Sequence, residues 1–197
     1  QKQYVVDLNP MIDLNLVNDA AKKIAQIEDD IIFFHSKSLD ELEKNYSIKY
    51  IAPLNVSSTS FSDDFFDCCV STNTLEHIPV KQLYSIFTEL KRIVKKTGLI
   101  LAYIDYSDHY SHTDKNINML NFLRYKERQW EKYNHNCHYQ NRLRHYNYRN
   151  IFQKLGYSIA YEKAFYEETF HETKISNDFD KKEKTVFATS GYFILKL

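Results

Sequence analysis

Three short stretches of this 197-residue sequence concentrate residues able to do chemistry. The first is Glu76-His77, an acid beside a histidine. The second runs from Asp105 to His112 and carries Asp105, Asp108, His109 and His112. An imidazole has an unperturbed pKa of about 6.5, so it can take a proton from a hydroxyl near neutral pH, and a carboxylate can hold its orientation. His109 is the first candidate for such a base, then His112 and His77, with Asp108 or Glu76 as the orienting acid. The third stretch is polar and aromatic, His135 to Arg144. Guanidinium forks suit planar anions, so Arg142 and Arg144 could hold a carboxylate or phosphate on a substrate. Tyr110, Tyr139 and Tyr146 nearby would suit a sugar or sugar phosphate. Asp105, His109, His112, His135, Cys137 and His138 are also metal-ligand types. They lack the paired Cys-x-x-Cys or His-Glu-x-x-His spacing that marks zinc, and no metal is expected.

Something must hold these stretches in place. Phe66–Val70 is a short apolar run, which predicts a parallel strand buried on both faces. Ser71, Thr72 and Asn73 end it with small polar residues. Open α/β sheets bind their ligands at that end of a strand. Val80 to Lys96 has apolar residues at helical spacing (Leu83, Ile86, Phe87, Leu90, Ile93 and Val94), with Thr97-Gly98 as its stop. Leu99–Ile104 reads as the next buried strand, ending at the Asp105 cluster. Upstream, Tyr4–Asp7 is a short strand ending in an acid. A helix follows, with Asn9 as its cap, Pro10 in its first turn and Leu14, Val17, Ala21 and Ile24 inward. Residues 38–45 predict a helix and residues 49–54 a strand. Downstream, 116–133 predicts a helix and 146–155 another, closed by Gly156. Strands are expected at 157–163 and 185–197. Glu167 to Lys184 is charged, without a steady apolar period, and reads as a loop or hairpin tip.

Taken together, Asp-x-x-x-Ser-x-x-x-Leu-Glu-His before a helix, the strand order and the terminal strand pair resemble a class I S-adenosylmethionine-dependent methyltransferase of the type 11 group. The resemblance runs from about residue 4 to the C-terminus. It implies an α/β, Rossmann-like, mostly parallel sheet with a C-terminal antiparallel strand pair. Residues 105–145 would then be a cap shaping an acceptor pocket in a single domain. It also implies S-adenosyl-L-methionine as methyl donor. Asp7 and Leu8 would hold the ribose, Asn55 and Val56 the adenine, and Ser71, Asn73 and Glu76 would line the donor at the strand ends. Asn55 stands where the family usually has an acid, and an amide oxygen accepts without charge. The family's glycine-rich turn, which belongs before Tyr4–Asp7, is not present among the three glycines of the chain, Gly98, Gly156 and Gly191. That first strand would lie between Tyr4–Asp7 and Phe66–Val70. The expectation is therefore a chain truncated ahead of Gln1. The expected reaction is methyl transfer to oxygen or nitrogen of a small molecule or glycan precursor. The competing expectation is a methyltransferase-like binding or assembly module without catalysis, which the missing turn and Asn55 favour.

Composition excludes several other classes. Lys+Arg and Asp+Glu balance at 26 each, so no basic footprint for nucleic acid or an anionic membrane exists. No apolar run approaches the roughly 20 residues of a membrane span. Three cysteines, with Cys68 and Cys69 adjacent, make no disulfide framework, and a reducing, cytoplasmic setting is expected. A homodimer stays open.

Overall fold

The computed structural model describes residues 2–167 and 174–197, and the chain divides between Thr59 and Ser60 into two compact units. The first unit holds β1 (Gln3–Val6), α1 (Leu14–Ile27), α2 (Leu39–Tyr46) and β2 (Ile48–Ile51). β1 and β2 pair in parallel, Val5 opposite Tyr50. Helix α1 starts later than the sequence suggests. Asp13, not Asn9, is its N-cap, accepting from the Asn15 amide at 2.8 Å. Leu14, Val17 and Ala21 are half-buried as expected, Asn18 on the same face is fully buried, and Ile24 is exposed. Asn18 is held there by two hydrogen bonds with the Ser36 backbone, a polar anchor that apolar periodicity does not register. Helix α2 follows expectation, with the Ser38 hydroxyl accepting from the Glu41 amide.

The second unit contains β3 (Phe66–Thr72), α3 (Val80–Ile93), β4 (Val94–Asp105), the single-turn α4 (Glu127–Trp130), α5 (His145–Lys154), β5 (Ser158–Phe165) and β6 (Ser190–Lys196). Its sheet has the order β3-β4-β6-β5. β3 and β4 are parallel, and β6 runs antiparallel between β4 and β5. Mixed α/β architecture with a C-terminal antiparallel pair is the expected outcome. Leu83, Phe87, Leu90 and Ile93 of α3 are all buried, each contributing about 1.5–3 kcal/mol. Among the described residues, no helix is long and apolar enough to cross a membrane.

Three local expectations fail, each for a physical reason. β3 is not buried on both faces. Among the described residues it pairs with β4 alone, at the edge of the sheet, and Val70 is 65% exposed. β1 likewise pairs with β2 alone, so each of these two strands has one unpaired edge. Gly98 does not cap α3 in a left-handed turn; it lies within β4. A Cβ there would meet Asp67 O at 2.8 Å and Lys95 O at 2.9 Å, so glycine serves the close approach of β3 and β4. The helix expected over 116–133 is broken into the 3-10 turn Asn121–Arg124 and the one-turn α4. Its apolar residues Leu120, Phe122, Leu123 and Trp130 pack with Ile175 and Val186 in a core of their own. Part of the segment expected as a loop, Ile175 and Ser176, is therefore buried. Its residues 168–173 lie outside the described residues. Gly156 does close α5 with a positive φ of 77°.

Candidate functional site

The site of the second unit forms where β3 and β4 end. After Thr72, Asn73 takes a positive φ of 48° and donates its amide to Tyr103 O, which turns the chain away from the sheet. Leu75–His77 then makes one 3-10 turn before α3. This turn is clamped from the distant segment 139–141. Asn141 donates its amide to Glu76 O and its side chain to Leu75 O and Ile78 O. His77 Nδ1 lies 3.0 Å from Tyr139 O. A carbonyl only accepts, so Nδ1 carries the hydrogen and Nε2 keeps its lone pair.

Glu76 is 2% exposed, and neither carboxylate oxygen has a hydrogen-bond partner. Burial, with the nearby Asp105 charge adding to it, pushes its carboxyl up to about 7, against the opposing pull of the Glu76 and Asp105 backbone amides and of His109. Facing this turn is the segment that leaves β4. Asp105 Oδ2 lies 3.6 Å from His109 Nε2 and 3.6 Å from His112 Nε2. Its Oδ1 accepts the Ser107 amide at 2.7 Å. Burial pushes the Asp105 carboxyl up, yet hydrogen bonding from His109 and Ser107 outweighs it and holds the group below its usual value. The same Asp105 contact, against burial, raises His109. The His109 ring stacks on His112 with centroids 5.0 Å apart and lies tilted against His77 at 4.9 Å. His112 Nε2 also meets Ser107 Oγ at 3.0 Å. An open cleft of about 190 Å³ lies beside this group, lined by Asn73, Asp105, Ser107, His112 and Met119 among others.

The structure thus brings Asn73, Glu76, His77, His109 and His112 to one end of the sheet, as the sequence suggests, with Ser71 at the same end of β3. It corrects other assignments. Asp108 orients no histidine: it is fully buried, caps the following 3-10 turn through the Tyr110 amide, and accepts from Asn121. Asp105 has the orienting position instead. Arg142 and Arg144 are not free to hold an acceptor. Arg142 is 4% exposed and donates to Phe122 O, Tyr125 O and the Glu127 carboxylate. Arg144, with no exposed surface, donates to Val186 O, Tyr106 O and Ala188 O. Tyr110 donates its hydroxyl to Tyr133 O, and Tyr139 meets the site through its carbonyl. Sequence reasoning missed Asp105, Ser107 and Asn141 as positioning groups. Position at the end of an apolar strand is the signal that could have promoted Asp105; nothing local marks Asn141.

The first unit carries the remaining candidates. Asp7 follows β1, and its Oδ2 accepts the Tyr50 hydroxyl at 2.7 Å, which leaves the carboxylate capacity for further donors. Leu8 beside it is exposed and Val56 half-buried. Asn55 corrects its expectation: its amide oxygen already accepts from the Ser57 amide and hydroxyl, at 3.0 and 2.8 Å. Both lone pairs are used within its own turn, so it has no acceptor left for an adenine amino group.

The family model described as a methyltransferase domain matches residues 34–102. No curated protein matches the chain. Among solved structures, the PH0226 protein of Pyrococcus horikoshii is similar at TM-score 0.53 and 13% identity, with 99% of this chain and 71% of that one covered. A SAM-dependent methyltransferase of Methanosarcina mazei is similar at TM-score 0.52 and 13% identity, covering 98% and 80%. The YcgJ protein of Bacillus subtilis gives 0.50 and 14%, covering 99% and 81%. The chain has the class I S-adenosylmethionine-dependent methyltransferase fold, and the methyltransferase-domain family is matched from its second helix to its fourth strand.

Proposed function

We propose that this chain takes part in methyl transfer from S-adenosyl-L-methionine to an oxygen or nitrogen of a small molecule or glycan precursor. The observation that carries the reading is the His112–Asp105 pair on the wall of the cleft, at the end of β4, within a methyltransferase fold. The donor, when bound, supplies an electrophilic methyl group on a sulfonium. The work left to the protein is alignment and removal of the acceptor's proton. Asp105 favours the His112 tautomer with hydrogen on Nε2, so Nδ1 is the basic nitrogen for an acceptor hydroxyl. Ser107 fixes the same ring through its 3.0 Å contact. Asp7 accepts from ribose hydroxyls, a use its free carboxylate capacity fits. Asn73 lines the cleft and borders the donor.

Calorimetric titration of S-adenosylhomocysteine into the chain tests the cofactor assignment. Saturable binding at one equivalent is expected. Asp7→Asn and Asp7→Ala are each expected to weaken it at least ~10-fold, as loss of hydrogen bonds to a charged group costs about 1.5–3 kcal/mol. An absence of saturable heat both in this chain and in one extended upstream through its native reading frame would sink the enzyme reading and favour a binding module without catalysis. Binding unaffected by either Asp7 variant would remove Asp7 from the donor site.

A further inference from the structure

Glu76, His77 and His109 present a combination that the methyl-transfer reading does not use. Each offers one ligand atom, and the three atoms lie within 4.8 Å of one another. A carboxylate buried to 2% exposure with both oxygens unpartnered is costly, because desolvation of a charge is repaid only by a partner. His109 Nε2 is likewise buried, and its polar neighbour is the Asp105 carboxylate at 3.6 Å, beyond hydrogen-bond distance. Four of the surrounding polar groups are spent elsewhere. Asp108 is taken by Tyr110 and Asn121, Asn141 by backbone carbonyls, Arg142 and Arg144 by theirs. Among the described residues no lysine or arginine forms an ion pair with Glu76; its charged neighbours are Asp105 and His109. Among the described residues Trp130 Nε1 and Arg142 Nε are also buried without a partner, but of the unpartnered atoms only the Glu76 oxygens and the His109 nitrogen are metal-ligand types.

We propose that Glu76, His77 and His109 bind a divalent first-row metal ion. One carboxylate and two imidazoles suit zinc, cobalt, nickel, manganese or iron better than magnesium or calcium, which favour all-oxygen surroundings. One second-shell contact is already in place: His77 donates Nδ1 to the Tyr139 carbonyl, which fixes the ring and leaves the Nε2 lone pair for a metal. Three protein ligands leave a position for water or a substrate atom, the pattern of catalytic rather than structural zinc. Metal–ligand bonds of about 2.0–2.1 Å bring tetrahedral ligand atoms to roughly 3.3–3.4 Å from each other, so the three groups must draw in by about an ångström. His77 is exposed and can supply that movement by a small rotation. The sequence did not reveal this set: its members come from two turns that only the fold brings together, and the spacing seen in the sequence argued against any metal. Metal binding can be measured with neither methyl donor nor acceptor present, so its failure is distinct from failure of methyl transfer.

The test is titration of the chelator-stripped chain with Zn²⁺ by calorimetry. Co²⁺ serves as the spectroscopic probe, since visible ligand-field bands report nitrogen ligation. One equivalent is expected to bind. Glu76→Gln, His109→Ala and the exposed His77→Ala should each weaken binding at least ~10-fold, while a combined His135→Ala, Cys137→Ala, His138→Ala variant should not. His77→Ala keeps the test decisive if either buried variant fails to fold. No saturable binding would overturn the proposal. So would equal affinity in Glu76→Gln and His77→Ala, or loss confined to the 135–138 variant.

Discussion

Arg144 and Glu76 are both buried charges of the second unit, and they are treated in opposite ways. Arg144 donates to three carbonyls and lies against the faces of Tyr106 and Phe122, with its charged carbon 5.4 and 5.6 Å from the ring centres. Burial lowers its pKa only to about 10, so it stays charged near neutral pH. Arg142 repeats the pattern in part, with two carbonyls, Glu127 and the rings of Trp130 and Phe179, while its Nε is buried without a partner. Glu76 has the same degree of burial and no partner for either oxygen. Burial alone therefore says little about role. A buried charge whose donors are all used is part of the framework; one left with empty lone pairs is held ready for something else. Arg144 ties Tyr106, next to Asp105, to Val186 and Ala188 just ahead of β6, and Arg142 ties together turns within the 105–145 segment.

Breaking the satisfied side of this contrast should have the largest effect. Arg144→Met removes a donor from three carbonyls that stay buried, at about 1–3 kcal/mol for each group left unmade. A loss of at least ~3 kcal/mol of unfolding free energy in urea is expected. A loss below ~1 kcal/mol would mean the cage is not structural.

A smaller effect should come from His145, which sits between the two extremes. It is buried, its ring stacks on Phe193 at 4.3 Å, and its Nδ1 lies 3.0 Å from the Tyr106 hydroxyl. Burial lowers its pKa to about 4, with Arg149 adding to that and Glu162, 3.4 Å from Nε2, and Glu183 opposing it. The unfolded imidazole binds its proton near pH 6.5, the folded one near 4. Between those values the unfolded state holds more protons, so stability is full above about pH 6.5 and falls as the pH drops through that window. The limiting slope for one group is ~1.4 kcal/mol per pH unit. Urea denaturation from pH 7 to 4 should show this slope in the wild type and a flatter one in His145→Gln. An identical slope in the variant would assign the acid lability to the carboxylates instead.

The contrast also explains what the sequence could and could not disclose. The sheet strands, α3 and the Gly156 stop were legible because Leu83, Phe87, Leu90 and Ile93 repeat at helical spacing and the strand runs are short and apolar. The Glu-His turn was legible as a place where chemistry could occur. The role of Arg142 and Arg144 was not, because an arginine that will donate to backbone carbonyls looks identical in sequence to one awaiting a phosphate. Asp105 and Asp108 are three positions apart in a polar run, and only the fold decides that one faces the histidines while the other caps a turn. The helix expected over 116–133 failed because its apolar residues pack around Trp130 as separate short turns. The pairing of Glu76 and His77 with His109 depends on two loops meeting at the end of the sheet, which no local period encodes.

The most direct test of the contrast is the unfolding free energy of Glu76→Gln, measured in urea at pH 8 beside the metal-free wild type. There the buried carboxyl is ionised and unpaired, whereas the amide carries no charge. The account predicts that Glu76→Gln is at least as stable as the wild type, because removing an unpartnered buried charge relieves its desolvation cost. A loss of ~2 kcal/mol or more would contradict it and make Glu76 part of the framework, as the arginines are.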